Sequence, residues 1–191
     1  MHGSEAVNPA LAELVQARLM PGNPGLSNVG GLRTPSDLLR VDHPAILCLR
    51  TWIFEAVATL FKAVMLGFDA PDLSTRMTAE AWGNLCDRGD YQQPHIHHGS
   101  IWSGVYYVDS LADCQASGGV LELHDPRAGA WLQAKSQDAV HRIVPRPGLL
   151  VAFPSWLSHS VTPVTTSHRR ISIAFNSGLR PSDGVQEDKG A

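Results

Sequence analysis

The chain has 191 residues, of which 43% are hydrophobic and 17% charged, and it carries a formal net charge of -3. This composition predicts one soluble globular domain with a substantial core and excludes a disordered chain. The slight acidity disfavours nucleic acid or an anionic membrane as a general partner. The scattered cysteines Cys48, Cys86 and Cys114 form no CxxC motif, which predicts a reduced, cytoplasmic protein without disulfides or a thiolate zinc site.

The first third of the chain is patterned for helices. Asn8 and Pro9 predict a helix start, because these residue types favour the N-cap and the first turn. Thr34-Pro35 predicts a short second helix. A longer helix is predicted over 42–67, where apolar residues recur at helical spacing and a glycine ends the run. The most apolar stretch, 53–68, contains two charged residues and is too short for a membrane span, and the sequence shows no signal peptide.

From about residue 76 the pattern changes to that of short β-strands separated by turns. Pro147-Gly148 predicts a hairpin between two of them. Strands that follow helices predict a mainly β domain over 1–180, a β-sandwich or jelly roll with helices on one sheet, and then a polar tail at 181–191. The later predicted strands are 102–108, 120–124, 142–144, 149–153, 160–164 and 170–176.

A histidine cluster, Pro94-His95-Ile96-His97-His98, carries the strongest chemical signal. On a strand, residues two apart point to the same face, so His95 and His97 present two imidazoles to one point while Ile96 turns into the core. Imidazole is a good ligand for Fe, Zn, Cu or Ni, and His159 is the best candidate for a third ligand. The competing interpretations are a loop cluster without a role and, for His159, an ordinary core or surface histidine.

A candidate anion clamp follows the third histidine. Arg170 and Ser172 lie two apart, so both side chains point to one face of a strand, where a guanidinium and a hydroxyl suit a carboxylate. A 2-oxo dicarboxylate fits such a clamp beside a metal. The hydroxyl of Tyr107 joins this clamp if the alternation of side chains continues unchanged past the preceding turn. Asn84, on the strand before, is a candidate of the same kind. Arg169 is predicted to lie on the surface.

Other residues near these motifs carry weaker signals. His98 faces away from its neighbours, which favours a supporting or surface position, and His124 is more consistent with a structural role. His98, Trp102 and Arg127 are candidates for the substrate wall, although loop packing or solvent exposure explains each of them better.

Eight segments of the sequence occur in an order typical of one family. Over roughly residues 8–178 the chain resembles the 2-oxoglutarate/Fe(II)-dependent oxygenase family related to prolyl hydroxylases. The segments are Ser27-Asn28-Val29-Gly30-Gly31, Trp82-Gly83-Asn84, His95-Ile96-His97, Ser103-Gly104-Val105-Tyr106-Tyr107-Val108, Gly118-Gly119-Val120-Leu121, Asp125-Pro126-Arg127, Phe153-Pro154-Ser155-Trp156-Leu157-x-His159 and Arg170-Ile171-Ser172-Ile173-Ala174-Phe175-Asn176.

The resemblance implies a double-stranded β-helix, a cupin-like jelly roll, that uses Fe(II), 2-oxoglutarate as cosubstrate and O2. It matches His95 and His159 to iron-ligand positions. His97 stands where the wider superfamily has Asp or Glu, which predicts a three-histidine site one charge more positive than usual and disfavours halogenation. The residues that the resemblance matches to the cosubstrate clamp are Arg170, Ser172 and Tyr107.

The predicted function is hydroxylation of an unactivated C–H of an amino acid, a peptide residue or a small metabolite. One alternative is a three-histidine cupin-type dioxygenase or isomerase that does not use 2-oxoglutarate, against which the spacing of Arg170 and Ser172 argues. Another is a non-enzymatic module that binds a dicarboxylate or a metal, against which the retained histidines argue. The predicted partner is a small-molecule or peptide substrate, with no nucleic acid or membrane, and a homodimer stays open.

Overall fold

The computed structural model describes residues 1–22, 25–64, 76–110, 118–127 and 139–180. As the sequence predicted, helical elements occupy the first third: helix α1 (Ser4–Ala17), a 3₁₀ turn (Leu38–Arg40) and helix α2 (Pro44–Val64). Gly67, where α2 was predicted to end, Cys114 and the tail at 181–191 lie outside the described residues.

Helix α1 begins at Ser4, so the start predicted at Asn8 was wrong. The side chain of Asn8 is used in a tertiary contact instead of a cap. Its Nδ2 donates to the carbonyl of Val108 at 2.8 Å, and its Oδ1 accepts from the hydroxyl of Tyr106 at 2.6 Å. Asn8 therefore ties the helix to the sheet beneath it, and a cap signal alone cannot distinguish these two uses of an asparagine.

The remaining described chain is dominated by ten strands. They are β1 (Asn28–Val29), β2 (Leu32–Arg33), β3 (Met77–Cys86), β4 (Tyr91–His95), β5 (Trp102–Asp109), β6 (Leu121–His124), β7 (Val140–Ile143), β8 (Leu150–Pro154), β9 (His159–Val161) and β10 (Arg170–Leu179). Two five-stranded antiparallel sheets result, with the orders β2-β3-β10-β5-β8 and β1-β4-β9-β6-β7. We call them the major and the minor sheet.

Strand β10 lies at the centre of the major sheet and separates the helix-side core from the interior of the β-structure. Its odd-numbered residues Ile171, Ile173 and Phe175 are buried in the core that α1 and α2 cover. Its even-numbered residues, among them Arg170 and Ser172, point to the opposite side, where they line a cavity. The period-two alternation of a strand thus puts polar chemistry on the inner face while the outer face holds the helices.

Helix α2 is long and apolar enough, by length and composition, to cross a membrane. It is also longer than the apolar stretch at 53–68, whose length had argued against a membrane span. Ile46, Leu49, Ile53 and Val57 are completely buried and belong to the helix-side core. Their helical spacing places them on one stripe, which is how a core helix of a globular domain packs.

Two turn predictions need correction. Thr34 does not start the short helix; its Oγ1 accepts a hydrogen bond from the backbone N–H of Gly83 at 2.9 Å and so joins the segment to β3. Pro147-Gly148 does form a turn, but β7 and β8 on either side of it belong to different sheets, so it is not a hairpin. Short-range turn chemistry determines the bend, whereas the pairing of the strands is decided by long-range packing.

Gly104 in β5 is predicted to be irreplaceable for packing reasons. A Cβ there would lie 2.3 Å from Cζ of Phe175 and 2.3 Å from the carbonyl oxygen of Val151. Gly104→Ala should therefore lower the free energy of unfolding by about 1–3 kcal/mol in urea denaturation, because the crowded backbone cannot move away. Gly178→Ala in β10, with its nearest neighbour at 3.9 Å, is the matched control and should change stability by less than about 0.5 kcal/mol. Equal effects of the two variants would refute the packing explanation.

Candidate active site

Three imidazoles converge at one end of the cavity between the sheets. His95, at the end of β4, pairs in register with His159, the first residue of β9, and their ring centroids lie 4.2 Å apart. The ring of His97 lies 5.1 Å from each of the other two. One ring nitrogen from each residue lies within 4.8 Å of those of the other two, so the three are close enough to bind one metal ion together.

Backbone carbonyls orient two of these rings. Nδ1 of His95 lies 2.7 Å from the carbonyl oxygen of Gln93, and Nδ1 of His159 lies 2.9 Å from that of Leu157. A carbonyl can only accept, so each Nδ1 carries the proton and each Nε2 keeps its lone pair. Such contacts hold the tautomer that a metal needs.

His97 reaches the cluster by a route that strand alternation does not describe. Strand β4 ends at His95, and His97 lies between the strand and the following turn, where its backbone N–H donates to the carbonyl of Ser155 at 3.0 Å. Ile96 was predicted to turn into the core, and this was wrong: it is 39% exposed and lines the cavity mouth. The parity argument thus brought the two histidines together although only the first of them lies on the strand.

Burial keeps the three imidazoles neutral. Burial, with a smaller contribution from the neighbouring His95, lowers the pKa of His159 to about 3 and that of His97 to about 4. The pKa of His95 is lowered as well, again chiefly by burial. Neutral imidazole is the form that binds metal, so the cluster is ready to ligate well below the usual pKa of histidine.

The same shifts predict an acid sensitivity of the metal-free protein. In the unfolded chain histidine titrates at about pH 6.5, whereas folded His159 and His97 take up protons only at about pH 3 to 4. The unfolded state therefore binds protons first, and stability is lost as the pH falls through 6.5 towards 3. Thermal unfolding in the presence of a chelator should show a Tm that declines over this range. His159→Leu should make the decline shallower, and an unchanged slope would contradict the assignment.

A buried arginine lines the same cavity as the three imidazoles. Arg170 is 5% exposed, its guanidinium donates to Oγ of Ser172 at 3.2 Å, and its Cζ lies 5.2 Å from the ring centroid of Tyr107. The adjacent thiol of Cys86 has a pKa raised by burial and stays neutral. Within the described part of the chain no carboxylate forms an ion pair with Arg170. A buried cation without an anion is costly, so this part of the cavity suits an anionic ligand.

Neighbouring strands align three polar side chains beside Arg170. Ser172 on β10 is paired with Asn84 on β3 and with Tyr107 on β5, so the three lie in one row across the major sheet. All three are at most 1% exposed, and Oδ1 of Asn84 has no hydrogen-bond partner among the described residues. The structure therefore places Tyr107 and Asn84 where the sequence predicted them, on the inner face next to the arginine.

The cavity has a volume of about 560 Å³, within the roughly 300–1,000 Å³ range of small-molecule sites, and is large enough for more than one small ligand. Its outer part is lined by residues that the sequence did not single out as site residues: Arg33, Glu80, Trp82 and Asn176. Trp82 lies beside the histidine cluster, with its ring centroid 5.9 Å from that of His97. Glu80, Trp82 and Asn176 share the even spacing of the inner-face residues on β3 and β10, whereas Arg33 lies on β2, which is too short to show such a pattern.

Five other residues considered in the sequence lie outside the histidine cluster and the row of polar residues beside Arg170. His98 is exposed and lies at the cavity rim, and His124 contacts Oγ of Ser160 at 2.9 Å, consistent with a structural role. Trp102 is buried against Phe61 on the helix side of the major sheet and does not line the cavity. Arg127 is exposed in an ion pair with Asp125. Arg169 is exposed and bonded to Asp87, as its surface assignment predicted.

The sequence profile of the family described as "Putative 2OG-Fe(II) oxygenase" matches residues 80–176, which is about half of the chain. The chain belongs to this family. The oxygenase thus uses Fe(II), 2-oxoglutarate and O2, as the sequence predicted. The matched range contains all three histidines and the buried arginine. No curated protein sequence matches the chain.

Solved structures show the same fold. A prolyl-4-hydroxylase from Pseudomonas putida is 18% identical, with a TM-score of 0.64 over 93% of this chain and 88% of that one. A Trichoplax adhaerens prolyl hydroxylase, solved with a peptide fragment of hypoxia inducible factor, is 14% identical, with a TM-score of 0.62 over 91% and 79%. HygX from Streptomyces hygroscopicus, solved with nickel, 2-oxoglutarate and hygromycin B, is 15% identical, with a TM-score of 0.55 over 99% and 87%. The predicted double-stranded β-helix is confirmed.

Proposed function

We propose that the oxygenase hydroxylates an unactivated C–H of an amino acid, a peptide residue or a small metabolite, with iron at the three histidines and 2-oxoglutarate at the buried arginine. The convergence of three neutral imidazoles in the same cavity as an unpaired buried guanidinium carries the proposal. The iron ligands are His95, His97 and His159, and the residues at the cosubstrate are Arg170, Ser172, Tyr107 and Asn84.

Each group has a separate task. Bound together, Fe(II), 2-oxoglutarate and O2 supply the oxidation, in which a substrate C–H is converted to C–OH while 2-oxoglutarate gives succinate and CO2. Arg170 neutralises the carboxylate of the cosubstrate that is remote from the metal, and Ser172 adds a hydrogen bond to the same group. The surrounding burial excludes water and strengthens these contacts.

The histidine at position 97 has an electrostatic consequence. Three neutral imidazoles leave the metal site one charge more positive than two imidazoles and a carboxylate. A dianionic cosubstrate offsets that charge, so iron and 2-oxoglutarate should bind with positive cooperativity. His97 thus makes the dicarboxylate more important for holding the metal than it is in a site that already contains a carboxylate.

The test is anaerobic binding followed by turnover. Titration of 2-oxoglutarate into the Fe(II)-loaded protein should change the iron absorption spectrum, and admission of O2 should then yield succinate. With isotope-labelled O2 one labelled oxygen atom should appear in a hydroxylated substrate. An unchanged spectrum together with no succinate formation would overturn the proposal and return attention to a metal- or dicarboxylate-binding module or a cupin-type reaction without cosubstrate.

A further inference from the structure

The outer part of the cavity contains a second arginine that is incompletely paired. Arg33, from edge strand β2, lies with its Cζ 4.4 Å from the ring centroid of Trp82 and donates to Oγ of Ser36 at 2.9 Å. Its Nε is buried without a hydrogen-bond partner, and none of the ion pairs among the described residues includes it. The guanidinium lines the same cavity as the histidines, so it presents positive charge to whatever occupies the outer part.

A fixed negative charge lies further out on the same wall. Glu80 precedes Trp82 by two residues on β3, so both side chains are on the inner face, about 7 Å apart along the strand. Oε1 of Glu80 accepts from Nδ2 of Asn176 at 3.2 Å, and Oδ1 of Asn176 accepts from Oγ of Ser103 at 2.9 Å. This network orients the carboxylate, although the residue itself is exposed to solvent.

The two charges are close enough to interact, because the Glu80 carboxylate partly offsets the lowering of the Arg33 pKa by burial. Arg33 rests on Trp82, one strand step from Glu80, yet the described structure contains no direct ion pair between them. A ligand that carries a carboxylate and an ammonium group would complement such a pair of charges. Because Trp82 also lies beside His97, a side chain that extends from that ligand along the indole would approach the three histidines.

Resting on the proposed function, we propose that the substrate is a free zwitterionic amino acid, whose carboxylate binds Arg33 and whose ammonium group binds Glu80. A residue inside a peptide has neither charge, so it would leave the half-buried guanidinium unpaired. A simple carboxylate or amine would satisfy only one side of the pair. Arg170 and Asn176, which is paired with Glu80, lie at opposite ends of the inner face of β10, so the cosubstrate clamp around Arg170 would hold a different anion.

The experiment measures amino-acid-stimulated succinate formation by the Fe(II)-loaded protein. The probes are the standard protein amino acids, together with the methyl ester and the N-acetyl derivative of each amino acid that stimulates turnover. In the wild-type protein, the methyl ester and the N-acetyl derivative should each have a KM about 10- to 100-fold above that of the free amino acid, because each has lost one charged hydrogen bond.

Variants assign each charge to its residue. Arg33→Met should raise KM for the free amino acid but not for its methyl ester, and Glu80→Gln should raise KM for the free amino acid but not for its N-acetyl derivative. Arg40→Gln, an exposed arginine outside the cavity, is the matched control and should change neither value. If Arg33→Met or Glu80→Gln raises KM equally for the free and the blocked substrates, the replaced residue has a structural role, and the inference is overturned.

Failure of this inference is separable from failure of the proposed function. If 2-oxoglutarate changes the iron spectrum of the wild-type protein but no amino acid stimulates succinate formation, the proposed function stands and the zwitterionic substrate is refuted. Equal stimulation by free and blocked amino acids refutes it as well. If 2-oxoglutarate leaves the spectrum unchanged and no succinate forms under any condition, the proposed function itself fails.

Discussion

Replacement of His159 by alanine is expected to abolish iron binding and succinate formation together. His159 is 4% exposed, is paired in register with His95, and faces both other imidazoles. Loss of an outer-shell partner of a metal-bound histidine costs about 10- to 100-fold, so loss of a ligand itself should cost more than that in both metal affinity and turnover. Elemental analysis after dialysis measures the first effect and a succinate assay the second.

The choice of control matters because histidine substitutions can act through folding. His141→Ala, on an exposed position of β7, should leave both readouts unchanged. His97→Asp adds a sharper comparison, because it restores the carboxylate that the wider superfamily has at this position and should retain iron where His97→Ala loses it. Full iron occupancy in His159→Ala would remove this residue from the metal site.

How much of this site the sequence could predict depends on the range of the interactions involved. The histidine pair was found because two side chains that are two positions apart in a short motif are near each other in almost any local conformation. The pairing held for His97 although it lies beyond the end of β4. The exposure of Ile96 was not predicted, because strand alternation was extended past His95, where the strand ends.

Long-range contacts were harder to foresee. Arg33 belongs to a two-residue strand, too short to show a periodic pattern, and only its pairing with β3 brings it to the inner face. Glu80 looks like an ordinary surface acid in sequence, and its network to Asn176 spans two neighbouring strands. Asn8 was misread in the same way, since its tertiary partners are about a hundred positions away. Pattern reasoning thus recovered the centre of the candidate site and missed its rim.

Replacement of Arg170 by methionine should weaken 2-oxoglutarate binding by about 100-fold while leaving the metal-free fold intact. Two charge-assisted hydrogen bonds of about 1.5 kcal/mol each account for a loss of that size. Isothermal titration of 2-oxoglutarate into the Fe(II)-loaded protein measures the Kd. Methionine fills much of the space of the arginine stem, and removal of a buried cation that has no carboxylate partner should offset the loss of its hydrogen bond to Ser172.

The neighbouring residue Arg169 provides the control, because it has the same chemistry on the opposite face of the chain. Its guanidinium is exposed and pairs with Asp87, an interaction worth about 0–1 kcal/mol. Arg169→Met should therefore bind 2-oxoglutarate like the wild-type protein. Thermal unfolding gives an independent readout: saturating 2-oxoglutarate should raise the Tm of the wild-type protein and of Arg169→Met, since a ligand stabilises the state it binds, but not that of Arg170→Met. Equal ligand-induced shifts in both variants would mean that the cosubstrate carboxylate binds elsewhere in the cavity, and the inner-face position of Arg170 would then need another explanation.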